Sequence, residues 1–297
     1  MPAEPSGLTP LTLGLFQGSV YGLLAVGLVL IYKGVRVFNF AQGEFGTVAT
    51  FVAFGLFQGL GLPYGVAFIG GLVAAVLVGL MMERLVIRPL FDAPRITMLV
   101  ATVGFALFII AVTVIVAKPE TRAFAPLIEG DLIVFFGAAI TPQQFLIVGV
   151  LAALAVVLAL FFRTNLGLAV LALSQDPLAT RIMGISVVNI SRLIWAFAAL
   201  VGGLAGLLLA GVPGNSFSPG FMTSIAIVPA FTGAVLGGMT SLPGAFIGGV
   251  LVGIGQALGS FYLGDRMGVP GAGELTVFGL LLLVLLIRPQ GLLGTEA

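Results

Sequence analysis

"GSVYGLLAVGLVLIYKGVRVFNFAQGEFG", residues 18–46, holds the end of one apolar run, two cations, and the start of a second apolar run. The first run begins near residue 11 and ends before Lys33 and Arg36, close to the roughly 20 residues that cross a bilayer as a helix. The second opens on Asn39, Gln42 and Glu44 and then turns apolar again. The whole chain repeats this habit. Of its 297 residues 60% are apolar before its 43 glycines are counted, and only 8% are charged. Soluble domains carry about 25% charged residues, so this chain has too few to cover a globular surface. The expected fold is an all-α integral membrane protein, a polytopic bundle of eight to nine transmembrane helices.

Reading outward from that stretch, apolar runs against polar punctuation give nine candidate spans. They cover residues 11–31, 40–60, 64–82, 96–117, 144–162, 190–212, 223–239, 243–262 and 274–287. Loop charge orients them, because cytoplasmic loops are enriched in Lys and Arg. With the N-terminus outside, Lys33, Arg36, Arg84, Arg88, Arg95, Arg163, Arg181, Arg192 and Arg288 fall inside, nine of the twelve basic residues. Lys118, Arg122 and Arg266 fall outside. The opposite orientation reverses the ratio, so the N-terminus is expected outside and the C-terminus in the cytoplasm. The opening segment has no basic residue before Lys33 and so lacks the charged start of a signal peptide.

Absences narrow the chemistry. The chain has no cysteine and no histidine, which removes disulfides, thiol redox work and the usual zinc, haem or copper ligands. It has no G-x-x-x-x-G-K-[ST] motif, and its two lysines, Lys33 and Lys118, are in no such setting, so it binds no ATP by a P-loop of its own. No nucleophile–base or metal constellation for an enzyme exists. No catalytic residue, metal or cofactor is expected. The net charge of +1 points to no polyanionic partner, nucleic acid included.

Small residues recur at helical spacing. Gly14, Gly18 and Gly22 make one stripe, and Gly202/Gly206, Gly244/Gly248, Gly249/Gly253 and Gly255/Gly259 repeat the interval. In lipid, close backbone approach through small residues drives helix packing, so most of these are expected in helix contacts. "AFIGG" occurs at 67–71 and again at 245–249, each shortly after Leu-Pro, in spans expected to run in opposite directions. Inverted repeats of that kind occur in transporters, although five residues in a glycine-rich chain also match by chance.

"LALSQDPLATRIMGIS", residues 171–186, interrupts two apolar runs with Gln175, Asp176, Pro177, Thr180 and Arg181. Aspartate suits a helix N-cap and proline the first helical position. Leu178, Ile182 and Met183 then share one side of a two-turn helix that Gly184 can end in the left-handed conformation. Ser186 or Asn189 is a candidate cap for the next long helix. A short amphipathic helix here lies in the lipid interface or docks into another protein. The interfacial kind carries several basic residues, and this one has only Arg181.

The segment resembles the ATPase-coupling loop of ABC-importer membrane subunits, in the A-x3-D-x2-A-x4-G-I form of branched-chain amino acid permeases. Here that pattern reads Ala172, Asp176, Ala179, Gly184 and Ile185. Stretches similar to the same family follow in matching order along nearly the whole chain: residues 18–46, "ERLVIRPL" (83–90), "TPQQ" (141–144), "VLGGMTSLPGAFIGG" (235–249) and "IRPQGLLG" (287–294). Relatives often carry Arg and an acid before the coupling aspartate, where this chain has Leu168, Val170 and Gln175, and often a histidine where it has Gln42. The resemblance implies a permease subunit in a bacterial or archaeal cytoplasmic membrane, taking up branched-chain amino acids. It implies a coupling loop at about 163–190 within a single transmembrane domain. It also implies a homologous permease subunit as heterodimer partner, two cytoplasmic ABC ATPase subunits and an extracytoplasmic solute-binding protein. Urea, short amides, other amino acids and sugars stay open as cargo.

Polar groups inside the spans are the candidates for a pathway. A carboxylate at the bilayer centre costs about 2.5–3.5 kcal/mol on insertion scales, so Glu44 needs a partner or water. It either caps a helix or pairs with Arg36 near the cytoplasmic end, or it lines a cavity or gate with Asn39, Gln42, Gln17 and Tyr21. Gln256, a large polar group among glycines, is a weaker candidate. Thr97, Thr102 and Thr232 are expected to return their hydroxyls to the preceding turn, and Pro229 to kink the seventh span. An ion-coupled transporter would want more intramembrane acid than Glu44 supplies, and a histidine to relay protons.

Overall fold

The fold is described from a computed structural model covering residues 8–135, 138–175 and 177–294. Every expected span is a helix. They are α1 (Thr9–Val35), α2 (Gln42–Phe54, continued by a π turn to Gly59), α3 (Tyr64–Met82, continued to Leu90) and α4 (Arg95–Ala117). α5 (Pro142–Phe161) follows a small β-hairpin of β1 (Ile133–Phe135) and β2 (Ala138–Ile140), paired antiparallel with Ile133 opposite Ile140. α6 (Asn165–Gln175) and α7 (Pro177–Ile182) occupy the interruption. α8 (Val187–Ala210), α9 (Phe221–Gly237), α10 (Leu242–Gly259, continued to Asp265) and α11 (Ala272–Ile287) complete the chain.

Six of these helices have the length and apolarity to cross a membrane: α1, α3, α4, α5, α8 and α10 with its continuation. The other three expected spans are short. α2 has 13 α-helical residues, α9 has 17 and α11 has 16. The hairpin and α6 are additions that sequence periodicity did not bring out.

α1 is the axis of the bundle. Every residue from Gly18 to Ile31 is buried. It packs most extensively on α10 and also meets α8, α9 and α5. The glycine stripe makes this possible: a β-carbon on Gly14 or Gly18 would run into the backbone of Ile254 or Val250. Gly22 fits against Gly249 in the same way. The outer helices bury one narrow stripe each. α5 turns Gln143, Ile147, Leu151, Leu154 and Leu158 inward, and α3 turns Ala67, Gly71, Ala75, Gly79 and Met82. α3 thus presents mostly small residues to α2 and α8 and leaves Ile69, Val73 and Leu77 outward. That is the arrangement expected where lipid, not water, is the outer solvent.

Both "AFIGG" copies open a helix that folds back on the helix before it. Gly71 rests on the Ala49 carbonyl of α2, and Gly248 on the Gly233 carbonyl of α9. "TPQQ" is a capping box: Thr141 accepts from the Gln144 N–H at 3.3 Å, and Gln144 Oε1 accepts from the Thr141 N–H at 2.9 Å. "IRPQGLLG" is a tail strapped to α9, with Leu292 and Leu293 N–H groups donating to the Leu236 and Gly237 carbonyls at 2.7 and 3.0 Å. α9 continues unbroken through Pro229.

Candidate functional site

Between α1 and α2 the chain re-enters the bundle without regular structure. Thr102, the eighth residue of α4, holds it. Its hydroxyl accepts from the Phe40 N–H at 3.2 Å and lies 3.3 Å from the Phe38 carbonyl and 2.8 Å from the Leu99 carbonyl. Thr102 therefore makes the expected bond to its own helix and also secures the break. Asn39 Oδ1 accepts from the Ala41 N–H at 3.0 Å, its amide donates to Gln42 Oε1 at 3.3 Å, and Gln42 Nε2 donates to the Ala198 carbonyl at 2.8 Å. Asn39 and Gln42 are both fully buried. Ala198 is the twelfth residue of α8, so at 1.5 Å per residue α2 begins roughly 16 Å along that helix. Irregular backbone at such depth is stable only where protein satisfies its polar groups, and Thr102 and Asn39 do so for the Phe38 carbonyl and the Phe40 and Ala41 N–H groups.

Glu44 is in the first turn of α2 and is fully buried. Among the described residues neither carboxylate oxygen has a hydrogen-bond partner. The hydroxyls of Thr47 and Thr223 face it without bonding geometry and are themselves unpartnered. It does not pair with Arg36, which caps the far end of α1. A β-carbon on Gly43 would stand 2.8 Å from the Thr223 hydroxyl, so the first turns of α2 and α9 meet beside this carboxylate.

Gln17, Tyr21 and Gln256 form a second polar group. Gln17 Nε2 donates to the Tyr21 hydroxyl at 2.6 Å, which donates to Gln256 Oε1 at 2.7 Å. Gln42 packs on Gly27 of α1, six residues from Tyr21, so the two groups stand about 9 Å apart along that helix. The structure thus separates the candidates into two clusters. Gln17 also lines a cavity of about 440 Å³ with Gln144, Asn215 and Ser216, at the end where α1, α5 and α9 begin.

At the opposite end lie α6 and α7. Pro177 is the first residue of α7; Asp176 lies outside the described residues. Gly184 is left-handed with φ +80°. The Ile185 N–H donates to the Thr180 carbonyl at 3.2 Å and the Gly184 N–H to the Arg181 carbonyl at 3.0 Å, the two bonds of a Schellman stop. Ser186, not Asn189, caps α8. Ala172 and Ile185 are half-buried and Ala179 and Arg181 exposed, while Ile182 and Met183 are 78% and 75% exposed.

Two polar anchors lie in stretches quoted from the sequence without a role for them, Glu83 with Arg88 in "ERLVIRPL" and Gln143 in "TPQQ". Glu83 is fully buried and bonded through both oxygens to Arg88. Five residues apart is not an ordinary α-helical pairing; the π turn at Glu83–Ile87 and the 3-10 turn at Arg88–Leu90 bring them together. Gln143 is fully buried too. It accepts from the Leu127 and Ile128 N–H groups and donates to the Leu208 carbonyl, tying a loop to α8.

A multi-pass helical membrane protein, with a buried helix break and polar clusters at mid-depth, has the construction of solute-translocating bundles. Residues 11–287 match the family described as "Branched-chain amino acid transport system / permease component", and the chain belongs to that family. It is similar to the high-affinity branched-chain amino acid transport system permease protein BraD of Pseudomonas aeruginosa, at 33% identity over 99% of this chain and 98% of the relative. LivH of Escherichia coli, a permease protein of a system of the same description, is 32% identical over 95% of this chain and 93% of its own. A probable branched-chain amino acid transport permease protein of Methanocaldococcus jannaschii is 28% identical over 92% and 88%. Among solved structures, PsaBC from Streptococcus pneumoniae in complex with Fab aligns with TM-score 0.49 and 20% identity over 95% of this chain and 91% of that chain.

Proposed function

We propose that this chain is the translocation-pathway subunit of an ATP-driven importer for branched-chain amino acids in a prokaryotic cytoplasmic membrane. It works beside a homologous permease subunit, two ABC ATPase subunits on the cytoplasmic side and an extracytoplasmic solute-binding protein. The N-terminus faces outward, and α6 and α7 face the ATPases. Family membership over nearly the whole chain carries this reading.

The α6–α7 segment supports it. Its bulky apolar residues Ile182 and Met183 face away from the bundle, held on a helix stopped by the Gly184 motif. A short helix with an exposed apolar face and few charges fits a groove on a partner protein. ATP-driven closure of the ATPases would pull on α7 and, through α8, on the helices around the α2 break. Solute movement then follows from helix rearrangement and not from bond chemistry in this chain.

Purification of the tagged protein in mild detergent, with identification of the retained chains, tests the assembly. Two P-loop ATPases and a second permease are expected. Recovery of this chain alone, competent for ion-driven uptake in liposomes, would sink the importer reading.

A further inference from the structure

At the end of the bundle that carries α6 and α7 lies a cavity of about 500 Å³, within the range of small-ligand pockets. Four parts of the chain wall it: the end of α1, the α3–α4 turn, the α6–α7 segment and the start of α8. Among the described residues its charges are those of Arg36, Arg95 and Arg181, with no carboxylate in the wall; Asp176, next to the lining Gln175, lies outside the described residues. Asp92, between two lining positions, is exposed to solvent and is not part of the wall. Ser191 lines the cavity from α8; it is fully buried, and its hydroxyl has no partner among the described residues. A buried hydroxyl left unbonded is costly and is normally satisfied by something.

We propose that this cavity binds a phosphate-bearing anion, held by the guanidinium groups of Arg95 and Arg181 and the hydroxyl of Ser191. Guanidinium groups match phosphate oxygens through paired N–H donors, and the serine supplies one more donor to an acceptor-only ligand. The first residue of α8, Val187, is also in the wall, so the positive end of that helix adds to the field. Arg36 engages other groups as the cap of α1, and the site does not depend on it. Phe91, Met98 and Leu173 give the remaining wall an apolar character that suits the carbon skeleton of such a ligand. Two sources carry such a phosphate, a lipid headgroup of the facing leaflet, as in basic pockets between transmembrane helices, and a soluble phosphate compound. In both cases the anion ties Arg181 of α7 to α4 and α8, so its occupancy stiffens the segment proposed to meet the ATPases. The binding itself does not require the importer reading.

The full-length protein in nanodiscs tests this in two arms. In phosphatidylglycerol-containing discs, native mass spectrometry of the released protein reads the retained lipid. In phosphatidylcholine discs, the melting temperature is followed against inorganic phosphate. Wild type is expected to retain phosphatidylglycerol, or to show a saturable rise with phosphate, and the positive arm names the source. Binding is expected to weaken roughly tenfold for each guanidinium removed by Arg95→Gln or Arg181→Gln, and measurably with Ser191→Ala. Arg95→Lys keeps the charge and guards against a folding failure; it should bind between wild type and Arg95→Gln. No response in either arm, or a response undiminished in Arg95→Gln and Ser191→Ala, would overturn the proposal.

Discussion

Gly18 of α1 lies against the backbone of Val250 on α10: a β-carbon at Gly18 would stand 2.7 Å from the Val250 carbonyl oxygen and 2.8 Å from its Cα. Backbone cannot rotate away as a side-chain tip does, so relief requires the two helices to part. Gly18→Ala is expected to cost about 1–3 kcal/mol or more, read as a lower melting temperature in detergent. Gly104→Ala on α4, where a new β-carbon meets nothing within 4 Å, is the control. It should be neutral or stabilising by about 0.5–1 kcal/mol, because alanine is the better helix former. Equal melting temperatures for the two variants would contradict the packing described for α1.

Arg88 neutralises a carboxylate that has no contact with solvent. Arg88→Met leaves Glu83 buried and unpaired, for which about 3–5 kcal/mol of destabilisation is expected. The double variant Glu83→Leu, Arg88→Met removes both charges and should recover most of that loss. A double variant no more stable than Arg88→Met would show that the pair does not act as a unit.

The Tyr21 hydroxyl joins α1 to α10 through Gln256. Tyr21→Phe should destabilise by about 1–3 kcal/mol, since it strands the polar groups of Gln17 and Gln256 in a part-buried place. In a double-mutant cycle with Gln256→Leu the second change should cost much less than it does alone. Additive losses would mean that the bond contributes nothing.

Glu44→Gln replaces a buried carboxylate that has no hydrogen-bond partner among the described residues. The amide avoids the cost of burying a charge, so the melting temperature should be unchanged or higher. Uptake by reconstituted vesicles should fall if the carboxylate serves the pathway beside the α2 break. Wild-type uptake by Glu44→Gln would remove the carboxylate from the pathway, and a lower melting temperature would show that it stabilises the fold.

Gly184 holds φ +80° at the end of α7 and meets open space where a β-carbon would go. Gly184→Trp strains that conformation by about 1–2 kcal/mol and puts bulk on the proposed ATPase-facing side. Asp176→Lys reverses the charge in the same segment. Both variants are expected to yield folded bundle that no longer supports ATP-driven uptake. Transport at the wild-type rate by both would remove α7 from the coupling.

The spans were legible because they depend on local properties. A run of about 20 apolar residues fixes a helix whatever it packs on, and the stop of α7 and the start of α8 follow from Gly184 and Ser186 in their immediate sequence. The glycine stripe of α1 also announced a close contact. Its partner did not show, because lipid is as apolar as leucine and hydropathy therefore does not distinguish an inward face from an outward one. Only tertiary structure decided that Gly18 meets Val250, that Thr102 holds the break before α2, that Glu83 finds Arg88 through a π turn, and that Gln17 and Tyr21 join Gln256 and not Glu44. Each of these joins residues through packing or backbone irregularity that no helical period encodes. The sequence by itself determined a membrane bundle and where its main apolar helices lie; the packing of small residues across distant helices determined which polar groups share a site.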